Sequence, residues 1–313
     1  MGREMVGARE ETVAGAVAAA AALLRDSAHV ADAQAEAREL LLSLIDAPAS
    51  WLVLHRDDAL ASNTRETLLA AAQRRARGAP TQYATGRAHF RHLTLAVDER
   101  VLIPRPETEL LVELALDSAG EGGVAIDVGT GSGCIALALA SEGRFDRVVG
   151  TDVSSDAIAV ARANAAALAP VLRAPVELRV GSLLGPARGI RARVVVSNPP
   201  YIAAGEASAL PAAVRDWEPA LALYSGSDGM GHIAALVREA ADALEPGGQL
   251  LMEVDARRAS LAAELAAADG RYERVQVRLD LTGRERFVLA RRASDTAAMP
   301  NDGPSGRTTR GAR

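Results

Sequence analysis

At 313 residues the chain is long enough for one large domain and a smaller one. Hydrophobic residues make up 49% of it, mostly Ala, Val and Leu with only 3% aromatic, which is enough for a sizeable core. A net charge of −5 argues against binding nucleic acid mainly through phosphates, and with no Lys in the chain a Lys nucleophile or Schiff base is excluded.

The Ala-rich stretch 14–24 is too short to span a bilayer and runs at once into Arg25 and Asp26. Acidic Glu4, Glu10 and Glu11 precede it, which does not suit a secretory leader. Cys134 is the single cysteine, so no intrachain disulfide or thiolate metal cluster can form, as in a reducing compartment. A cytoplasmic protein is expected.

Residues 1–85 read as helical. Leu40, Leu41, Leu44 and Ile45 share one helical face, Pro48 stops that helix, and Leu68 and Leu69 begin another. It ends in Arg74, Arg75, Arg77 and Gly78, basic residues placed to face the negative end of a helix dipole; contact with RNA is the alternative. Between 86 and 106 the pattern changes to short alternating runs, read as a linking hairpin with its turn at Asp98 and Glu99. Pro104 and Pro106 then lead into a helix carrying Leu110, Leu111, Leu114 and Leu116.

From 107 to 292 short apolar strands alternate with helices, which predicts a mostly parallel sheet covered on both faces. The strands fall at 124–128, 148–151, 176–180, 194–197, 250–254, 275–279 and 287–289, with helices at 135–140 and 157–168. Residues 293–313 are polar and aperiodic, and predict a disordered tail.

Asp127-Val-Gly129-Thr-Gly131-Ser-Gly133 follows the first of these strands and opens a helix. Glycines there allow a sharp turn and close approach of a ligand to backbone N–H groups. The third glycine comes one residue too early for a dinucleotide fingerprint, which disfavours an NAD-dependent oxidoreductase. G-x-G-x-G with an acidic residue two before it resembles motif I of the Rossmann-like class I methyltransferases. Asp152 ends the next strand, where a carboxylate can accept both hydroxyls of a ribose. Cys134, at the helix start, reads as packing.

Asn198-Pro-Pro-Tyr201 sits at the carboxyl end of the fourth strand, so it should share a crevice with the glycine turn. An amide nitrogen is a poor nucleophile, since its lone pair is delocalised. It needs both N–H bonds held and the lone pair turned toward the methyl group. The Asn198 side-chain oxygen and the Pro199 carbonyl can accept those two hydrogens. Successive prolines remove backbone donors, and Tyr201 offers a flat face to the planar amide. Positioning rather than a strong base then supplies the rate. The same tetrapeptide could serve the exocyclic amine of adenine in DNA or RNA, although flipping a base needs a further recognition region. A binding protein that has lost activity is disfavoured, because loop and tetrapeptide are both intact.

With these motifs the chain resembles the protein-(glutamine-N5) methyltransferases of the HemK/PrmC type, over roughly residues 35–291. Further segments carry the likeness: Pro80-Thr-Gln-Tyr-Ala-Thr-Gly-Arg87 with Phe90, Leu102-Ile-Pro-Arg-Pro-Glu-Thr-Glu109, and Arg215-Asp-Trp-Glu-Pro219 before Gly229-Met230. The resemblance implies S-adenosyl-L-methionine as cofactor, held by Gly129, Thr130, Gly131, Ser132, Gly133, Asp152, Leu183 and Asn198. It implies the glutamine of the Gly-Gly-Gln loop of peptide chain release factors as substrate, bound by Asn198, Pro199, Pro200 and Tyr201. The helical N-terminal domain would recognise the release factor; a ribosomal-protein glutamine is the neighbouring possibility. Arg105 and Glu107 would shape the cofactor entrance or form salt bridges at the interdomain hinge. The chain departs from the family in having neutral Ser182 before Leu183, and Val254-Asp255 after Glu253. Gly247-Gly248-Gln249 spells the substrate tripeptide, but Gln249 reads as a strand residue. His89 and His92 are expected on opposite faces of one strand and the other histidines are isolated, so no metal site is expected.

Overall fold

The computed structural model describes residues 12–226 and 228–294. Glu4, Glu10, Glu11 and all but the first two residues of the expected tail lie outside them. Five helices come first: α1 (Val13–Leu24), α2 (Ala33–Ile45), α3 (Ala49–His55), α4 (Ser62–Ala76) and α5 (Thr81–Thr85). Asp32 caps α2 by accepting from the N–H groups of Gln34 and Ala35. Small Ala16, Ala20, Ala37, Ala71 and Ala72 let α1, α2 and α4 approach closely around Leu24, Leu40, Leu41 and Leu68. In the last turn of α4, Arg75 pairs with Glu36 at 2.6 Å and Arg74 with Glu99 at 2.5 Å, so both guanidinium groups serve the protein's own architecture.

A two-stranded hairpin follows, β1 (Arg87–Phe90) and β2 (Leu93–Ala96). Its turn is at Arg91 and His92, with Phe90 opposite Leu93, and not at Asp98 and Glu99 as the alternation suggests. Arg91 takes a left-handed backbone at φ 53, unusual for a side chain of its size. Long-range bonds hold it there. Its N–H donates to Glu109 Oε1 at 2.9 Å, and its guanidinium donates to both Glu142 oxygens at 2.6 Å. Asp98 does form a local turn, to Val101, but the chain beyond it is not a strand. His92 therefore lies in the turn rather than on a strand with His89. Asp46, the left-handed C-cap of α2, accepts from Arg87 and Thr94 at 3.2 Å and ties the helices to the hairpin.

The remainder is a doubly wound unit: α6 (Pro106–Ala119), β3 (Val124–Val128), α7 (Cys134–Glu142), β4 (Arg147–Asp152), α8 (Ser155–Leu168), β5 (Val176–Val180), β6 (Ala192–Ser197), the short α9 (Ala212–Arg215) and α10 (Ala220–Leu223), α11 (Gly231–Ala243), β7 (Leu244–Glu253), α12 (Ala259–Ala268), β8 (Tyr272–Leu279) and β9 (Glu285–Arg292). The sheet order is β5-β4-β3-β6-β7-β9-β8, and β9 alone runs antiparallel to its neighbours. One apolar core lies under α11 and α12, the other under α6 and α7. The fold is the α/β, class I methyltransferase sheet with an N-terminal helical unit and a hairpin.

From β3 the chain steps outward through β4 to β5, then crosses back to β6 on the other side of β3 and continues outward to β7. That switch point opens a crevice beyond the strands' carboxyl ends. Gly247-Gly248-Gln249 lies at the other end of β7, where the register jumps between Ala192 and Val194. The turn that the sequence suggests there interrupts the ladder: residues 245–248 stand opposite Arg193 alone, with Gly247 at φ 80. Gln249 is a ladder residue between Val194 and Arg291, remote from the crevice. No helix among the described residues is long and apolar enough to cross a membrane.

Candidate active site

Val128, the last residue of β3, pairs with Ser197, the last of β6, so Gly129 and Asn198 leave the sheet side by side. The Ser197 hydroxyl donates to the Val128 carbonyl at 2.7 Å and closes the gap between the strand ends. The turn itself hangs on β4: the N–H groups of Gly129 and Thr130 donate to Thr151 O, and that of Gly131 donates to Asp152 Oδ2 at 2.9 Å. Gly129 and Gly131 have φ of 74 and 54, which an L side chain rarely adopts, and a Cβ on either would project into open space.

That space is a cavity of about 240 Å³, walled by Gly129, Gly131, Asp152, Leu183, Asn198 and Leu102 among others. Asp152 Oδ1 accepts the Ser154 N–H at 2.9 Å, and each carboxylate oxygen keeps a lone pair for a further donor. Burial raises the Asp152 carboxyl above its usual range, against the pull of its backbone bonds. Leu183, at φ 48 and anchored by its carbonyl to the Thr151 hydroxyl at 2.8 Å, supplies an apolar wall beside Ser182. A carboxylate for two hydroxyls, an apolar slot and a close backbone turn together fit an adenosine bearing an amino-acid side arm.

Thr130, Ser132 and Gly133, expected among the cofactor residues, do not line this cavity. Their work is behind it. Thr130 donates to Asp127 Oδ2 at 2.6 Å, Ser132 offers its carbonyl to Asn164, and a Cβ on Gly133 would press on Leu137 and Ala161. Burial pushes the Asp127 carboxyl up to about 7, opposed by its bonds from Thr130 and the Ala136 N–H. Asn164 also grips both backbone groups of Ala96, so one buried carboxamide joins the glycine turn to the hairpin. Burial pushes the Cys134 thiol up to about 12, away from the thiolate form.

A second cavity, of about 580 Å³, opens on the other side of Asn198, Pro199 and Pro200, which line both. Tyr201 lines it, and burial raises the phenol to about 12. The Asn198 Nδ2 donates to the Thr108 hydroxyl at 3.1 Å, and Thr108 donates to Glu253 Oε2 at 2.7 Å. Asn198 Oδ1 has no partner among the described residues. Arg105 donates to both oxygens of buried Glu218 at 2.7 Å, so of its two expected roles it takes the salt bridge, while Glu107 is exposed. Trp217 packs beside Tyr83 and Val101, docking this segment on the linker. Glu206 receives Arg257 at 2.9 Å and Arg258 at 3.0 Å, which fixes the outer wall. Asp255 lines the same cavity, and Val254 is wholly buried.

Thr108, Asn164, Glu206 and Arg258 carry no local signal of their roles in the sequence. Each acts on a residue far away in the chain, and no local spacing announces that. Thr108 lies within the Pro-Arg-Pro-Glu-Thr-Glu signature, which was the available signal.

Residues 15–86 match the family described as PrmC N-terminal domain, and residues 106–215 match the methyltransferase small domain. A release factor glutamine methyltransferase of Deinococcus radiodurans is 40% identical over 269 residues, covering 85% of this chain and 94% of the relative. Proteins of that name from Cereibacter sphaeroides (40% identical, 85% of this chain and 93% of the relative) and Moorella thermoacetica (43%, 72% and 79%) also match. Among solved structures, the hMettl16 catalytic domain in complex with a 3'UTR hairpin shares the fold at a TM-score of 0.51, with 14% identity over 74% of this chain and 82% of that one. The two cavities that meet at Asn198 thus belong to a chain that spans most of the length of these relatives, and the chain is a member of the release factor glutamine methyltransferase family.

Proposed function

We propose that the chain transfers the methyl group of S-adenosyl-L-methionine to the side-chain amide nitrogen (N5) of the glutamine in the Gly-Gly-Gln loop of peptide chain release factors. The observation that carries this reading is the wall formed by Asn198, Pro199 and Pro200. It separates a cavity with the features of a nucleoside site from a larger one, and it carries two acceptors, Asn198 Oδ1 and the Pro199 carbonyl, that have no partner among the described residues.

When bound, S-adenosyl-L-methionine supplies an electrophilic methyl on its sulfonium. Asp152 would hold its ribose, Leu183 its base, and Gly129 and Gly131 leave room for the rest. Asn198 Oδ1 and the Pro199 carbonyl, neither partnered within the described residues, accept the two hydrogens of the glutamine NH₂ and turn its lone pair toward the methyl. Tyr201 confines the amide plane. With both N–H bonds held, orientation replaces the need for a base, and the surplus proton leaves to water afterwards.

In this reading residues 1–85 recognise the release factor, 86–106 link, 107–292 hold the cofactor, and the protein works in the cytoplasm with no direct nucleic-acid contact. The test is mass spectrometry of a release factor incubated with the protein and S-adenosyl-L-methionine. One added methyl on the Gly-Gly-Gln glutamine is expected; methyl label found only in nucleic acid would overturn the substrate.

A further inference from the structure

A carboxamide can sit two ways round, with either its oxygen or its NH₂ toward the acceptor cavity, and only the first grips another NH₂. What decides the matter lies behind Asn198. The Thr108 hydroxyl has a single hydrogen, and it goes to Glu253 Oε2 at 2.7 Å. Toward Asn198 the same oxygen then has only lone pairs, so it accepts from Nδ2 at 3.1 Å. Thr108 and Glu253 are each 2% exposed, which leaves water no easy place in the chain of bonds. The three residues come from the start of α6, the end of β7 and the end of β6, separated by 90 and 145 residues in sequence.

We propose that Glu253 and Thr108 are positioning residues for methyl transfer, a relay that dictates which atom of Asn198 faces the acceptor. The relay rests on the substrate reading above only for what Asn198 grips; its own geometry is independent of that. Ionised, Glu253 can only accept, and the polarity runs one way. Protonated, Glu253 can donate to Thr108, which then hands its hydrogen to the Asn198 oxygen. The Asn198 NH₂ turns outward and meets the substrate donor to donor.

The groups facing Glu253 are Thr108, Arg286 from β9, Arg105 and Glu107 at the entrance to α6, Cys134 at the start of α7, and Tyr201. Burial dominates them and pushes the Glu253 carboxyl up to about 7. Turnover at saturating cofactor therefore rises as pH climbs through that value. Asp127 titrates in the same range but lies in β3 beneath the glycine turn, bonded to Thr130, so its effect is read in cofactor affinity instead.

The experiment compares Thr108→Val, Thr108→Ser and Glu253→Gln with the wild type. In Thr108→Val, kcat should fall about 10- to 100-fold with cofactor Kd within about twofold, and Thr108→Ser should restore it. Glu253→Gln keeps the volume and the hydroxyl but can either give or accept, so it should lower kcat and flatten the acid limb of the pH profile. A substrate-free readout accompanies these. The Asn198 side-chain NH₂ signals in a heteronuclear NMR spectrum, identified by their loss in Asn198→Ala, should shift through the same titration in the wild type and stay fixed in Glu253→Gln. Wild-type kcat in Thr108→Val overturns the relay, as does an Asn198 signal indifferent to both pH and the loss of the hydroxyl. A wild-type protein that shows the shift yet leaves release factor unmethylated overturns the substrate and leaves the relay standing.

Discussion

Gly229 and Gly226 both have positive φ, at 78 and 63, in the same loop below the acceptor cavity, yet replacing them with Ala should have very different effects. At Gly226 an added Cβ meets nothing within 4 Å, so Gly226→Ala carries only backbone strain, about 1–2 kcal/mol. At Gly229 the same Cβ falls closer than 3.0 Å to the Tyr201 carbonyl oxygen and to Arg258 Nε. Neither neighbour can retreat freely. Tyr201 O belongs to the backbone of Asn198-Pro-Pro-Tyr201, and Arg258 is a buried ion-pair donor that also holds the Asp228 carbonyl and Glu206. Overpacking adds about 1–3 kcal/mol to the strain, for a total of about 2–5 kcal/mol. A displacement on the order of 1 Å at Tyr201 should cost up to about 100-fold in turnover. Urea denaturation and methyl transfer to a release factor measure the two quantities. If Gly229→Ala matched Gly226→Ala in both, the claim that this glycine sets the height of the acceptor wall would be wrong.

Three further outcomes follow from the site. Asn198→Ala should leave the cofactor affinity largely intact in calorimetry while turnover falls by about 100- to 1,000-fold, the scale for loss of one preorganised polar contact; near-normal turnover refutes the role given to its oxygen. Arg105→Ala should destabilise the protein by about 3 kcal/mol, because it strands the Glu218 carboxylate, whose side chain is 1% exposed, and adding Glu218→Gln should recover part of the loss in denaturant midpoint. Asp127 and Glu253 have folded-state carboxyls raised to about 7, so their neutral forms favour the fold. That stability is full below the unfolded carboxyl range and lost as pH rises through about 7. For Glu253, raised from 4.5, the change amounts to about 3 kcal/mol. The urea midpoint should therefore be higher near pH ~5.5 than near pH ~8, with part of the slope gone in Asp127→Asn. A midpoint that rises with pH would contradict it. The depressed carboxyls, such as Asp98 and Asp280, act only at more acid pH and do not mask the effect.

Much of this arrangement could be read from residues alone, for identifiable reasons. Strand ends, the glycine turn and Asn198-Pro-Pro-Tyr201 are local patterns, and strand–helix alternation restricts which end of the sheet they occupy. The hairpin turn was not legible. Arg91 holds its left-handed backbone through Glu109 and Glu142, and Glu142 lies 51 residues on, so Asp98 and Glu99 looked the better turn. That the chain before the Gly247 turn already pairs with β6 was not legible, because Gly-Gly marks a turn without saying whether a strand continues on both sides of it. Thr108 escaped because a hydroxyl in the first turn of a helix has ordinary capping duties. Its actual partners are set by tertiary packing.

The bond from Ser197 to Val128 has a broader meaning. It ties the proposed point of transfer to two adjoining strand ends of the central sheet, whereas the outer rim is made of short helical turns pinned by Arg105, Arg257 and Arg258. A lineage built on this plan can remodel its rim to admit a different acceptor without disturbing the place where the methyl changes hands.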